Sequence, residues 1–234
     1  MTGAPAVDEV SRHALSAAFF DAIAAQGVLP LLVAHEPALV GATVEALVSG
    51  GCEIVEVALR TPEAMSAVRA AARVAGARVG VGTVIRPEQV DAACEAGATF
   101  VVSPGFSPGV LRRATELGLP VLPGAATATE AMVALDAGCA NLKLFPAEQL
   151  GGASLVRALG AALVDVRFVP TGGVTDENLD GYLAEPSVLA VGGSWMVPPS
   201  CVRDRDFTSI ERRTREAVTR ASARAGHGQD ASRG

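Results

Sequence analysis

The chain has 234 residues, of which half are apolar and only 4% aromatic, so a single large domain must build its core from Ala, Val and Leu. Its formal net charge of −6 argues against nucleic acid or an anionic membrane as partner. Residues 1–20 carry Asp8, Glu9, Arg12 and His13 without an apolar leader, and no later stretch reaches about 18 uninterrupted apolar residues, so a soluble cytoplasmic protein is expected.

Apolar residues at helical spacing from Val7 to Ile23 predict an opening amphipathic helix over 7–26. After Gly27, Val28-Leu-Pro-Leu-Leu-Val33 is an apolar run of strand length. The pattern then alternates through helix 37–49, strand 53–57, helix 62–75, strand 78–82, helix 87–96, strand 99–102, helix 108–117 and strand 119–122. It continues with helix 127–137, strand 141–145, helix 148–163, strand 166–170, helix 175–184 and strand 188–191. Eight strands separated by helices call for a parallel sheet. An irregular segment through Pro198-Pro199 leads to a last helix over about 206–223. Residues 1–6 read as a flexible N-terminus, 7–223 as the domain and 224–234 as a disordered tail.

An internal repeat supports this order. Gly51-Cys-Glu-Ile-Val-Glu56, Gly97-Ala-Thr-Phe-Val-Val102 and Gly138-Cys-Ala-Asn-Leu-Lys143 each place a helix-ending glycine before a strand. Glu56 and Lys143 both stand five residues after their glycine, so they take equivalent strand positions and face one barrel mouth. Helix starts are marked by Thr61-Pro62-Glu63, Ser107-Pro108 and the capping box Thr127-Ala-Thr-Glu130. Short βα loops with polar residues are where a (β/α)8 barrel places its active site.

Lys143 is the only lysine among 19 basic residues, and it sits between two leucines in a strand. Burial disfavours an ammonium, and a neutral amine is a nucleophile where a guanidinium is not. The plainer reading is a lysine at a strand end reaching for water. Glu56 at the same level can carry protons for an amine that condenses with a ketone. Arg60 offers a fork for a substrate carboxylate, or else pairs with Glu56 or water. Thr83 is a second substrate contact or the N-cap of the next helix. Two glycine turns after the last strands, Thr171-Gly172-Gly173 and Gly192-Gly-Ser194, suit a phosphate. Cys52, Cys94, Cys139 and Cys201 lack CxxC spacing and read as small core residues in a reducing compartment. His13, His35 and His227 are too scattered for a histidine-rich metal site, so no metal or other cofactor is expected, although a carboxylate site stays open.

Taken together, Glu56-Val-Ala-Leu-Arg-Thr61, Gly80-Val-Gly-Thr83, Ser103-Pro-Gly105, Leu142-Lys-Leu-Phe-Pro-Ala-Glu148, Pro170-Thr-Gly-Gly173 and Gly192-Gly-Ser-Trp195 resemble 2-dehydro-3-deoxyphosphogluconate (KDPG) aldolase, collinearly from about residue 28 to 220. The resemblance implies a class I, metal-independent aldolase on a (β/α)8 TIM barrel, a homotrimer. Its reaction splits 2-dehydro-3-deoxy-6-phosphogluconate into pyruvate and glyceraldehyde 3-phosphate in the Entner–Doudoroff pathway. It further implies Lys143 as Schiff-base lysine, Glu56 as general acid/base, and Arg60 with Thr83 as pyruvate-carboxylate contacts. Phe145 matches the aromatic beside the lysine, and Thr171, Gly172, Gly173 and Ser194 the phosphate end. Ala58 replaces a usual Thr, Gly124-Ala-Ala-Thr127 replaces a bulkier turn, and Ala34-His35 follow the first strand where relatives vary, all on the pocket wall. Three rivals are an aldolase for 4-hydroxy-2-oxoglutarate or the galactonate isomer, an isomerase or epimerase barrel, and a sugar-phosphate binder without turnover.

Overall fold

The computed structural model describes residues 9–230. The stretch 1–6, expected to be flexible, lies outside them, as do 231–234 of the expected tail. The first described element is helix α1 (Glu9–Gln26), which Gly27 terminates at φ 72°. The succession is then β1 (Val28–Val33), α2 (Val40–Ser49), β2 (Ile54–Ala58), α3 (Ala64–Ala71), β3 (Arg78–Gly82), α4 (Pro87–Glu95), β4 (Phe100–Val102) and α5 (Pro108–Glu116). The second half comprises β5 (Val121–Leu122), β6 (Gly124–Ala125), α6 (Ala128–Asp136), β7 (Asn141–Leu144), α7 (Gly152–Ala162), β8 (Arg167–Pro170), α8 (Leu179–Leu183), β9 (Val191–Gly193), α9 (Pro199–Arg203) and α10 (Phe207–Asp230). Among the described residues no helix is long and apolar enough to cross a membrane.

All strand pairs are parallel, in the orders β5-β4-β3-β2-β1-β9 and β6-β7-β8. β5 and β6 are one stave interrupted at Pro123, which has no N–H to give to a ladder. Isolated parallel bridges Phe168↔Val188 and Thr171↔Gly192 join β8 to the β9 stave and close the ring. Eight staves with helices outside make a (β/α)8 barrel, as expected. The last regular strand lies three residues later than expected, because only a single bridge forms at Val188.

Two apolar layers result from strand alternation. Outward residues such as Val55, Val57, Val79, Val81, Leu142 and Leu144 pack under the helices. Inward residues Leu29, Ile54, Phe100, Val102, Leu122 and Val169 fill the barrel, and Phe19 and Ile23 of α1 join them. Phe19 lies 4.7 Å from Phe100 between ring centroids, so α1 plugs the barrel floor at the N-terminal ends of the strands. Burying such side chains stabilises the fold by about 1.5–3 kcal/mol each.

The repeat glycines Gly51, Gly97 and Gly138 take φ of 98°, 90° and 86°, which ends the preceding helix in each case. Ser107 caps α5, and Thr127 with Glu130 forms the expected capping box on α6. Thr61 caps nothing; its hydroxyl donates to Ala34 O at 3.1 Å, tying the loop after β2 to the loop after β1. The helix expected over 148–163 splits at Gly151 and Gly152, and the one over 175–184 shrinks to α8 because the Asn178 side chain accepts from Thr175 N–H instead. α9 occupies part of the segment read as irregular. α10 continues through 224–230, where a tail was expected, since extending an existing helix is far easier than starting one. The cysteines are not uniformly core residues: Cys52 is buried, Cys139 and Cys201 half-buried, and Cys94 exposed.

Candidate active site

Lys143 is the third residue of β7 and Glu56 the third of β2, so the shared distance from the repeat glycine does translate into shared depth. Both point inward. Lys143 is 2% exposed and Glu56 1%, with Nζ 3.4 Å from Oε1. They therefore lie below the mouth, inside the barrel, rather than at its rim. An ion pair this buried is costly to desolvate and is a poor device for stability, which makes a chemical role the better account. Phe145 continues β7 through a cis peptide to Pro146 and places its ring 5.4 Å from Nζ at the centroid, within cation–π range.

Glycines make the room. A Cβ on Gly82 would lie 1.8 Å from Glu56 Oε1, so the carboxylate occupies the space where any other residue of β3 would put its side chain. Gly80 does the same for the Phe100 ring, and Gly124 for the Pro104 carbonyl. Ser103 is buried and its hydroxyl donates to Gly105 O at 2.7 Å, which commits it to its own turn.

Above this pair stand Arg60 and Thr83. Arg60 Nε donates to Thr83 Oγ1 at 3.4 Å, and Arg60 makes no pair with Glu56, whose charged partner is Lys143. Thr83 is not a cap: α4 starts at Pro87, and the Gln89 side chain accepts from the N–H groups of Ile85 and Arg86. Thr83 instead sits at φ 63°, a costly backbone for a β-branched residue and one that collects at functional sites.

The glycine turns meet at the closing seam. The bridge Thr171↔Gly192 sets Gly172 and Gly173, at φ 98° and 78°, beside Gly193 and the exposed Ser194. Thr171 is 4% exposed; its hydroxyl donates to Val169 O at 3.2 Å and fills the space above Gly192. Among the described residues no three His, Cys, Asp or Glu side chains converge to hold a metal ion. Burial pushes the Cys52 thiol up to about 12 and the Cys139 thiol up to about 11, leaving both unreactive near neutral pH.

A family model described as KDPG and KHG aldolase matches residues 21–213. The chain belongs to this family. It is 42% identical over 192 residues to the KHG/KDPG aldolase of Escherichia coli K12, covering 82% of this chain and 90% of that one. A crystal structure of KDPG aldolase from Legionella pneumophila, with pyruvate captured as a covalent carbinolamine, superposes with a TM-score of 0.81 at 34% identity, covering 85% and 97%. The Zymomonas mobilis ZM4 aldolase with 3-phosphoglycerate gives 0.80 at 40% identity, covering 85% and 94%.

Sequence reading assigned no role to Gly82, whose contact with Glu56 crosses two strands, or to Asn178 and Tyr182, whose partner Glu148 lies 30 and 34 residues away. One signal was available, since Tyr182 is the only tyrosine.

Proposed function

We propose that this protein is a class I aldolase that cleaves 2-dehydro-3-deoxy-6-phosphogluconate to pyruvate and glyceraldehyde 3-phosphate. The carrying observation is the single lysine, buried in the barrel with one carboxylate in reach. The amine of Lys143 attacks the C2 carbonyl, and the carbinolamine loses water to give an iminium. Glu56, directly or through a water, takes the C4 hydroxyl proton as the C3–C4 bond breaks; the electron pair flows into the iminium to leave an enamine. Glyceraldehyde 3-phosphate departs, Glu56 returns the proton to C3, and hydrolysis frees pyruvate and the amine.

Arg60 and Thr83 receive the substrate carboxylate, Phe145 packs beside the imine, and Thr171, Gly172, Gly173 and Ser194 receive the phosphate. Precedents are the pyruvate carbinolamine of the Legionella enzyme and the 3-phosphoglycerate of the Zymomonas one. The protein works as a cytoplasmic homotrimer in the Entner–Doudoroff pathway; the exposed Met132 and Val133 on α6, of which Val133 lines a cleft with Phe106 and Leu111, supply apolar surface for assembly. Because the family model and the Escherichia coli relative both carry KHG in their descriptions, 4-hydroxy-2-oxoglutarate is the second substrate to compare.

Borohydride reduction in the presence of pyruvate tests the core of this reading. One adduct per chain at Lys143 is expected. An adduct elsewhere, or none with a fully folded protein, would remove the Schiff-base mechanism and favour an isomerase or binding barrel.

A further inference from the structure

The Gly172-Gly173 turn needs an external support, since glycines at positive φ carry no side chain to anchor the loop. Glu148, five residues beyond Lys143, supplies one. Its N–H donates to Gly172 O at 3.0 Å, next to the bond from Ala147 N–H to Thr171 O at 2.9 Å. Its carboxylate Oε2 accepts from the Tyr182 hydroxyl at 2.6 Å and from Asn178 Nδ2 at 3.1 Å. Asn178 Nδ2 also donates to Gly173 O at 3.1 Å, so the turn is held by the backbone of Glu148 on one side and through its side chain on the other.

Tyr182 is 1% exposed, and burial, followed by the Glu148 carboxylate, keeps its phenol protonated well above the usual range, as a permanent donor. Small residues preserve the fit: a Cβ on Gly173 would lie 2.5 Å from Glu148 Cβ, and one on Gly152 3.3 Å from Glu148 Oε2.

We propose that Glu148 is a positioning residue which, with Tyr182 and Asn178, locks the Gly172-Gly173 turn to the end of the Lys143 strand and thereby sets where the phosphate end of the substrate sits relative to the reacting carbon. The role rests on the reading of the turn as a phosphate site. Glu148 touches no reacting atom. Both side-chain bonds fall on one oxygen, so what the site requires of residue 148 is an acceptor, which an amide also provides.

Glu148→Ala, Glu148→Gln and Tyr182→Phe are to be compared with wild type in three assays: cleavage of the phosphorylated substrate, deuterium exchange into the methyl group of pyruvate, and amide hydrogen exchange of segment 170–176. In Glu148→Ala, KM for the phosphorylated substrate should rise about 5- to 20-fold. Amide exchange in 170–176 should accelerate, while pyruvate exchange stays within about twofold of wild type. Glu148→Gln should remain within about threefold of wild type on every readout, and Tyr182→Phe should fall between. Unchanged KM and amide exchange in Glu148→Ala overturn the proposal. So does an equal loss of pyruvate exchange, or an amide as damaging as alanine, which would show that the charge matters. Should wild type fail to cleave the phosphorylated substrate, the functional reading falls, while amide exchange still decides whether Glu148 holds the turn. If Glu148→Ala does not fold, the two milder variants carry the comparison.

Discussion

Gly82→Ala probes the centre of the candidate site without replacing either Glu56 or Lys143. The backbone at Gly82 is not in the left-handed region, so alanine is conformationally acceptable there, yet its Cβ would fall 1.8 Å from Glu56 Oε1 and 2.5 Å from Cδ. Reaching ordinary contact at 3.4 Å requires the carboxylate to retreat by about 1.6 Å. A misplacement of roughly 1 Å at a reacting group costs about 10²-fold in rate. Outright loss of a general acid/base costs about 10² to 10⁴. Gly82→Ala should therefore lose about 10²- to 10³-fold in kcat and slow deuterium exchange into pyruvate in parallel, while borohydride still traps Lys143. Overpacking should lower stability by about 1–3 kcal/mol, read from chemical denaturation. Gly80→Ala is the control, because its Cβ meets the Phe100 ring and not Glu56: a similar stability loss with a much smaller rate loss is expected. A folded Gly82→Ala protein with kcat within threefold of wild type would refute the idea that the position of the Glu56 carboxylate governs the rate.

Other outcomes follow from the same geometry. Lys143→Arg keeps a positive charge but offers no neutral amine, so it should form no borohydride adduct with pyruvate and should fall to background activity. Ser194→Ala removes a hydroxyl from the exposed end of the seam and should reduce kcat/KM for the phosphorylated substrate about 5- to 150-fold, equivalent to roughly 1–3 kcal/mol, with pyruvate exchange unchanged. A thiol reagent at pH 8 should modify Cys94 in the native protein and spare Cys52 until the chain is unfolded. For Cys52 the folded value of about 12 exceeds the ordinary 9.0, so the thiol's contribution to stability is intact below pH 9 and is lost as pH climbs from there toward 12; replacing Cys52 with Ala should flatten that alkaline slope.

Much of this protein is legible in its sequence because the signals are local. The glycine that ends a helix, the capping box at Thr127 and Glu130, and the apolar run of the first four strands depend on neighbours within a few residues, and they fall within a residue or two of where a one-dimensional reading put them. Strand periodicity also carries some information across the barrel: equal spacing from Gly51 and Gly138 set Glu56 and Lys143 at one depth although 87 residues separate them. That inference works because parallel staves repeat one geometry. Local signals failed where a side chain far along the chain, or an interrupted backbone ladder, outweighed propensity. The pair Thr61 with Ala34 and the interruption at Pro123 are of this kind, whereas the helix expected over 175–184 is shortened by a local competitor, the Asn178 side chain. Only the folded barrel determined that Glu56 and Lys143 are almost wholly excluded from water, that Gly82 is empty so that a carboxylate can occupy its place, and that Glu148 reaches across to the glycine turn. Burial and close approach are properties of atoms brought together by ring closure, and spacing along a strand records depth but not what stands opposite.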